Sequence, residues 1–266
     1  MTLERTMDLY FAVAALLLGA MWGSFLNVVI HRLPRDESIV RPRSRCPHCA
    51  APIPWYHNLP VLSFVVLRGR CASCRASISW RYPLVEALTA VVTLGVYLRL
   101  GPTLEFAIYW PFVLAMIALT FTDLEHMILP DEITLGGTVV GLALSFWNPR
   151  LEWWEAFIGA AAGPAFFWTV AKAYEIVRGV EGLGFGDVKL LGLIGAFGGW
   201  QALMPTILLS SVAGVVVAVG LMILGRGNMQ TKIPYGTFLA PAACVVVLYS
   251  DEMYRFYSHL ILRLVN

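Results

Sequence analysis

Long apolar runs alternate with short polar connections along this chain, and each run approaches the length a helix needs to cross a hydrocarbon layer of about 30 Å, roughly 17 to 25 residues. Their approximate cores are Leu9 to Ile30, Pro83 to Leu98, Leu104 to Thr122, Ile133 to Trp147, Trp153 to Val177, Val188 to Trp200, Ala202 to Leu224 and Thr237 to Ser250. The pattern predicts an all-α polytopic membrane protein with about eight transmembrane helices. The first run is expected to stay as a helix, because its apolar part outruns a signal-peptide core and leads into Asn27, His31 and Arg32 without a small-residue cleavage pattern. The sixth run contains Gly192, Gly195, Gly198 and Gly199, which suits a tightly packed, broken or tilted helix. No internal repeat or low-complexity tract is evident.

Composition narrows the class. Of 266 residues, 58% are hydrophobic and 14% charged, and the mean hydropathy is +0.71, an imbalance that an ordinary water-facing surface does not tolerate. A net charge of +2 gives no reason to expect nucleic acid as a partner. The distribution of charge says more. Eight spans place the loops after the first, third, fifth and seventh on one side, with 14 of the 19 basic residues. The positive-inside rule assigns that side to the cytoplasm. The same assignment brings Asp123, Asp187 and the stretch Ile233-Pro234-Tyr235-Gly236 to one face, although none of them entered the argument as a chemical group.

The sizeable polar segment, His31 to Tyr82, divides the chain into a first helix (1–30), a cysteine-rich cytoplasmic domain (31–82) and a membrane domain (83–266). Cys46-Pro47-His48-Cys49 and Cys71-Ala72-Ser73-Cys74 are two C-x-x-C pairs separated by 21 residues, slightly more than the common zinc-ribbon spacing. Four thiolates, Cys46, Cys49, Cys71 and Cys74, form a closed tetrahedral set that suits structural zinc and leaves no position open for catalysis. A reducing cytoplasm argues against disulfides. His48 and His57 read as surface or neighbouring residues, and Cys244 as packing in the last span.

Asp123 follows the apolar segment Tyr109 to Thr122, where a helix reaches the membrane interface. Asp187 closes Gly184-Phe185-Gly186-Asp187, just before another apolar helix, and Gly184 and Gly186 let the backbone approach a substrate. Two carboxylates sharing one proton are the minimal apparatus of aspartyl hydrolysis: the ionised one draws a proton from water while the neutral one donates to the scissile carbonyl. Interfacial aspartates also cap helices or face water, and Glu125, Asp131 and Glu132 compete for the first role. Asp131 and Glu132 suit capping of the next helix. Lys189 reads either as a modulator of the pair or as an interfacial lysine. Glu86, inside the second run, must face protein or a cavity.

Taken together, these blocks resemble the type IV prepilin peptidases, the GxGD-type membrane aspartyl peptidases of bacteria, over almost the whole chain. The resemblance is carried by Gly23-Ser24-Phe25-Leu26-Asn27-Val28-Val29-Ile30-His31-Arg32-Leu33-Pro34, the paired C-x-x-C loop, Ile78-Ser79-Trp80-Arg81-Tyr82-Pro83-Leu84-Val85-Glu86, Asp123 with Pro130-Asp131 after it, and Gly184-Phe185-Gly186-Asp187-Val188-Lys189-Leu190. It implies that Asp123 and Asp187 are the catalytic pair and that Pro234, Tyr235 and Gly236 line the groove for an extended substrate. It also implies prepilins and pseudopilins as substrates in the lipid bilayer, cut at the cytoplasmic face of the inner membrane, and S-adenosylmethionine as donor for N-methylation of the new amino terminus. Asn27, Arg81 and Glu86 are then candidates for the methyl-transfer site. Two other classes compete: a transporter or channel binding a cation at Asp123 and Asp187, and a noncatalytic pilin assembly factor acting through the cysteine-rich loop.

Overall fold

The computed structural model describes residues 3–179, 184–226, 233–253 and 255. Each expected apolar run contains a helix. They are α1 (Leu3–Arg32), α3 (Arg81–Leu100), α4 (Leu104–His126), α5 (Asp131–Ser145), α6 (Trp153–Arg178), α7 (Phe185–Gly198), α8 (Leu203–Ile223) and α9 (Gly236–Leu248), with a short α2 (Leu62–Val66) in the polar segment. Helices α1, α3, α4, α6 and α8 are long and apolar enough to cross a membrane. Helices α5, α7 and α9 have 15, 14 and 13 residues. At 1.5 Å per residue they reach only about 20 Å, so helix length supports five full spans among the described residues and does not by itself confirm eight.

The chain divides into two units, Met1–Trp110 and Pro111–Asn266, and the division falls within α4. In the first unit α1 packs along α3. A Cβ on Gly23 would lie 2.7 Å from the Glu86 Cα, so these helices meet nearly backbone to backbone. One turn further along, Asn27 Nδ2 donates to the Tyr82 carbonyl at 3.0 Å. Trp110 Nε1 donates to Thr93 Oγ1 at 3.0 Å and ties the start of α4 to α3.

The second unit is built around α7, which is buried from Asp187 to Phe197 except for half-buried Lys189. The glycines predicted to mark a tightly packed or broken helix mark close packing. A Cβ on Gly159 of α6 would lie 2.5 Å from the Gly195 carbonyl oxygen, and one on Gly195 only 2.2 Å from Gly159 backbone. Small residues bring these backbones within van der Waals reach where bulkier ones would hold the helices apart. Helix α8, by contrast, leaves Leu208, Val212, Val215 and Val216 exposed, as a lipid-facing surface requires.

Candidate active site and metal centre

The cysteine-rich segment contains an internal repeat, contrary to the expectation of none. Arg45-Cys46-x-x-Cys49-x-Ala51-x-Ile53-x-Trp55 and Arg70-Cys71-x-x-Cys74-x-Ala76-x-Ile78-x-Trp80 match at a constant offset of 25 positions. The backbone repeats with it. Cys46 N–H donates to Ala51 O at 3.0 Å and Cys71 N–H to Ala76 O at 2.8 Å, while Ile53 N–H reaches Ser44 O at 2.9 Å and Ile78 N–H reaches Gly69 O at 2.8 Å. Ala50 and Arg75 both turn into the left-handed region, with φ of 55° and 62°. Each C-x-x-C is thus a self-closed knuckle.

The two knuckles face each other. All four sulfurs lie within 4.8 Å of one another, and Cys46 Sγ is 3.8 Å from Cys74 Sγ. Tetrahedral zinc with Zn–S bonds of about 2.3 Å needs sulfurs roughly 3.8 Å apart, so the tetrad fits that ion. Neither His48 nor His57 belongs to the cluster. Backbone hydrogen bonds from Cys74 and Ser73 pull the Cys71 thiol down to about 6. The Ala76 bond would lower Cys74 too, but desolvation and the adjoining sulfurs push it up to about 11. Four thiols this close shed all their protons only when a cation shares the charge.

In the second unit, Asp123 occupies the last turn of α4. The helix ends as Met127, with φ 54°, donates its N–H to the Asp123 carbonyl at 2.8 Å. Asp187 occupies the first turn of α7. Both carboxylates are buried, at 6% and 8% exposure, and within Coulombic range of each other. Leu129 helps bring them together. A Cβ on Gly186 would meet Leu129 Cβ at 3.1 Å, and a Cβ on Gly236 would meet Leu129 Cδ1 at 3.1 Å, so one buried leucine touches both the Gly-x-Gly-Asp segment and the head of α9. Gly184 lies directly before α7, its Cβ position 3.4 Å from Asp187 Oδ2.

Other predicted residues turn out to have defined partners. Lys189 forms an ion pair with Asp131 and lies over the Phe185 ring at 5.0 Å, so it joins the heads of α7 and α5. Asp131 makes no side-chain cap, although it does stand in the first turn of α5 as expected. The Tyr235 hydroxyl bonds to Ser210 Oγ at 2.7 Å, which anchors the segment before α9 to α8. Thr237 escaped the sequence reading altogether: its N–H donates to Asp123 Oδ2 at 2.7 Å and its hydroxyl at 3.2 Å. No local pattern announces a contact between residues so distant in the chain.

In the first unit, Glu86 Oε2 accepts the Val61 N–H at 2.7 Å. That contact pins Val61 at φ 60°, an unusual conformation for a β-branched residue. Asn27, 3% exposed, donates to the Gly23 and Tyr82 carbonyls, while its Oδ1 is buried without a partner among the described residues. The Arg81 guanidinium lies over the Tyr82 ring at 4.7 Å.

Two family descriptions match the chain: "Bacterial Peptidase A24 N-terminal domain" over residues 17–100 and "Type IV leader peptidase family" over residues 110–219. Among curated proteins, the prepilin leader peptidase/N-methyltransferase of Pseudomonas putida is 39% identical over 92% of this chain and 93% of that protein. The proteins of the same name from Aeromonas hydrophila and Pseudomonas aeruginosa are 40% and 35% identical, each over 94% of both chains. No solved structure matches.

Proposed function

The chain belongs to the type IV leader peptidase family, whose work is to cleave prepilin leader peptides and N-methylate the product, and we propose that Asp123 and Asp187 carry out the cleavage. The observation that carries this reading is the burial of both carboxylates in one unit, within Coulombic range, beside a leucine that packs on Gly186 and Gly236. One carboxylate takes a proton from water as its oxygen attacks the scissile carbonyl. The other, protonated, donates to the carbonyl oxygen, and collapse of the tetrahedral intermediate passes a proton to the leaving amine. Low local dielectric strengthens each of these contacts.

The protein is a multi-pass inner-membrane enzyme. Its basic loops support an active site at the cytoplasmic face, where a leader junction beside an apolar helix would enter laterally from the bilayer. Pseudopilins offer the same junction and belong to the same substrate class. Exposed Gly184 leaves room for a substrate backbone beside Asp187, while Gly186 seats that segment on Leu129; Pro234, Tyr235 and Gly236 frame the site from the α9 side. The functional division into 1–30, 31–82 and 83–266 is part of this reading. Zinc at Cys46, Cys49, Cys71 and Cys74 would supply a structural crosslink between the two knuckles.

Methyl transfer takes S-adenosylmethionine as donor, and we assign Asn27, Arg81 and Glu86 to its site. Its support is the buried acceptor Asn27 Oδ1, one helical turn along α1 from Gly23, where α1 meets the α3 backbone at Glu86. The deciding experiment is cleavage of a prepilin by the purified protein beside Asp123→Asn and Asp187→Asn, with folding and metal content checked. Loss in both folded variants supports the pair. Retained cleavage in either overturns it.

A further inference from the structure

The two carboxylates are held very unequally. Asp123 Oδ2 takes two donors from one residue, the N–H and the hydroxyl of Thr237, at 2.7 and 3.2 Å. Among the described residues, no hydrogen-bond donor reaches the Asp187 side chain. Thr237 is the second residue of α9, so its N–H is one of the helix's first amides and has no acceptor inside the helix. A carboxylate satisfies that amide and gains from the positive end of the helix dipole.

The head of α9 is itself fixed before it meets Asp123. The Tyr235 hydroxyl bonds to Ser210 Oγ at 2.7 Å, and its ring packs on Phe167 with centroids 6.1 Å apart. Gly236 comes next, and a Cβ there would lie 2.9 Å from Asp123 Oδ2. Only glycine allows the helix to deliver the Thr237 donors at this distance without displacing the carboxylate. Tyr235 anchors, Gly236 makes room and Thr237 holds.

We propose that Thr237 is a positioning residue for peptide cleavage: its two donors fix the orientation of Asp123 and stabilise its charged form, leaving Asp187 as the proton-carrying partner. The inference rests on the reading of Asp123 and Asp187 as the hydrolytic pair. It gives the Ile233-Pro234-Tyr235-Gly236 segment a second task besides bordering substrate, that of building the support for one catalytic oxygen.

The test is steady-state cleavage of a prepilin by Thr237→Val, Thr237→Ser and Gly236→Ala, with thermal unfolding in detergent as a check on folding. Thr237→Val keeps the shape and loses the hydroxyl donor. A hydrogen bond to a charged group of this kind corresponds to about a tenfold fall in kcat, with KM changed by less than about twofold. Thr237→Ser should recover most of the rate, and Gly236→Ala should lose more than Thr237→Val. Wild-type kcat in a folded Thr237→Val, or a loss that falls on KM and is not recovered by serine, overturns the inference. Asp123→Asn, assayed alongside, keeps the two readings apart: if it is inactive while Thr237→Val is normal, the catalytic pair stands and the role of Thr237 falls.

Discussion

The cysteine tetrad and the aspartate pair solve the problem of gathering reactive side chains in opposite ways. Each half of the cysteine cluster is closed by hydrogen bonds within about ten residues of chain, and the second half repeats the first. The aspartate site draws Asp123 from the end of α4, Asp187 from the start of α7 and Thr237 from the start of α9, and it exists only when those helices pack. A locally closed site should respond to damage locally. A site assembled by helix packing should feel changes far from its own residues.

The largest expected effect lies at the aspartates. With both carboxylates in the proton transfers proposed above, Asp123→Asn or Asp187→Asn should lower kcat by about 10³-fold or more, while metal content by elemental analysis stays at the wild-type level. Coupled loss of metal would break the contrast. At the cysteines, Cys46→Ser should abolish stoichiometric metal binding and expose the 43–75 segment to trypsin, with the arginines there cut first. Thermal unfolding of the membrane helices should remain close to wild type, which limited proteolysis and calorimetry can separate.

A third change sharpens the nonlocal side. Gly159→Ala places a methyl 2.5 Å from the Gly195 carbonyl oxygen. Such overpacking costs about 1 to 3 kcal/mol, so the melting temperature should fall. Cleavage should fall with it, because α7 carries Asp187 at its head. The smallest effect belongs to Lys189→Met. Its partner Asp131 is 56% exposed, and a pair of that kind contributes up to about 1 kcal/mol. Denaturant unfolding should barely change.

The same contrast governs what the amino-acid sequence reveals. Hydropathy located the eight longer helices, because lipid and buried protein both select apolar runs, and passed over the short α2 in the polar segment. It could not separate five full-length spans from three shorter helices, since the core-packed α7 and α9 are as apolar as a helix surrounded by lipid. The cysteine tetrad was legible from spacing, though the wider repeat around it was not, because its matching positions alternate with unmatched ones. Asp123 and Asp187 stood out by position within their motifs. Thr237 did not, since its significance comes from a carboxylate 114 residues away. Asp131, read as a cap, and Lys189, read as a modulator of the aspartate pair or an interfacial lysine, proved to be each other's partner across 58 residues.

The burial of α7 also bears on how the enzyme meets membranes of different thickness. A helix that touches lipid adjusts its tilt or depth when its apolar length and the hydrocarbon layer disagree. Helix α7 is packed by α5, α6 and α9 and has almost no surface of its own to offer the acyl chains. Its depth is therefore set by its neighbours, and Asp187 rides with them. Hydrophobic mismatch should reach the reaction only as a displacement of the whole bundle, so cleavage in thin and thick bilayers should differ far less than the exposed flank of α8 alone would lead one to expect.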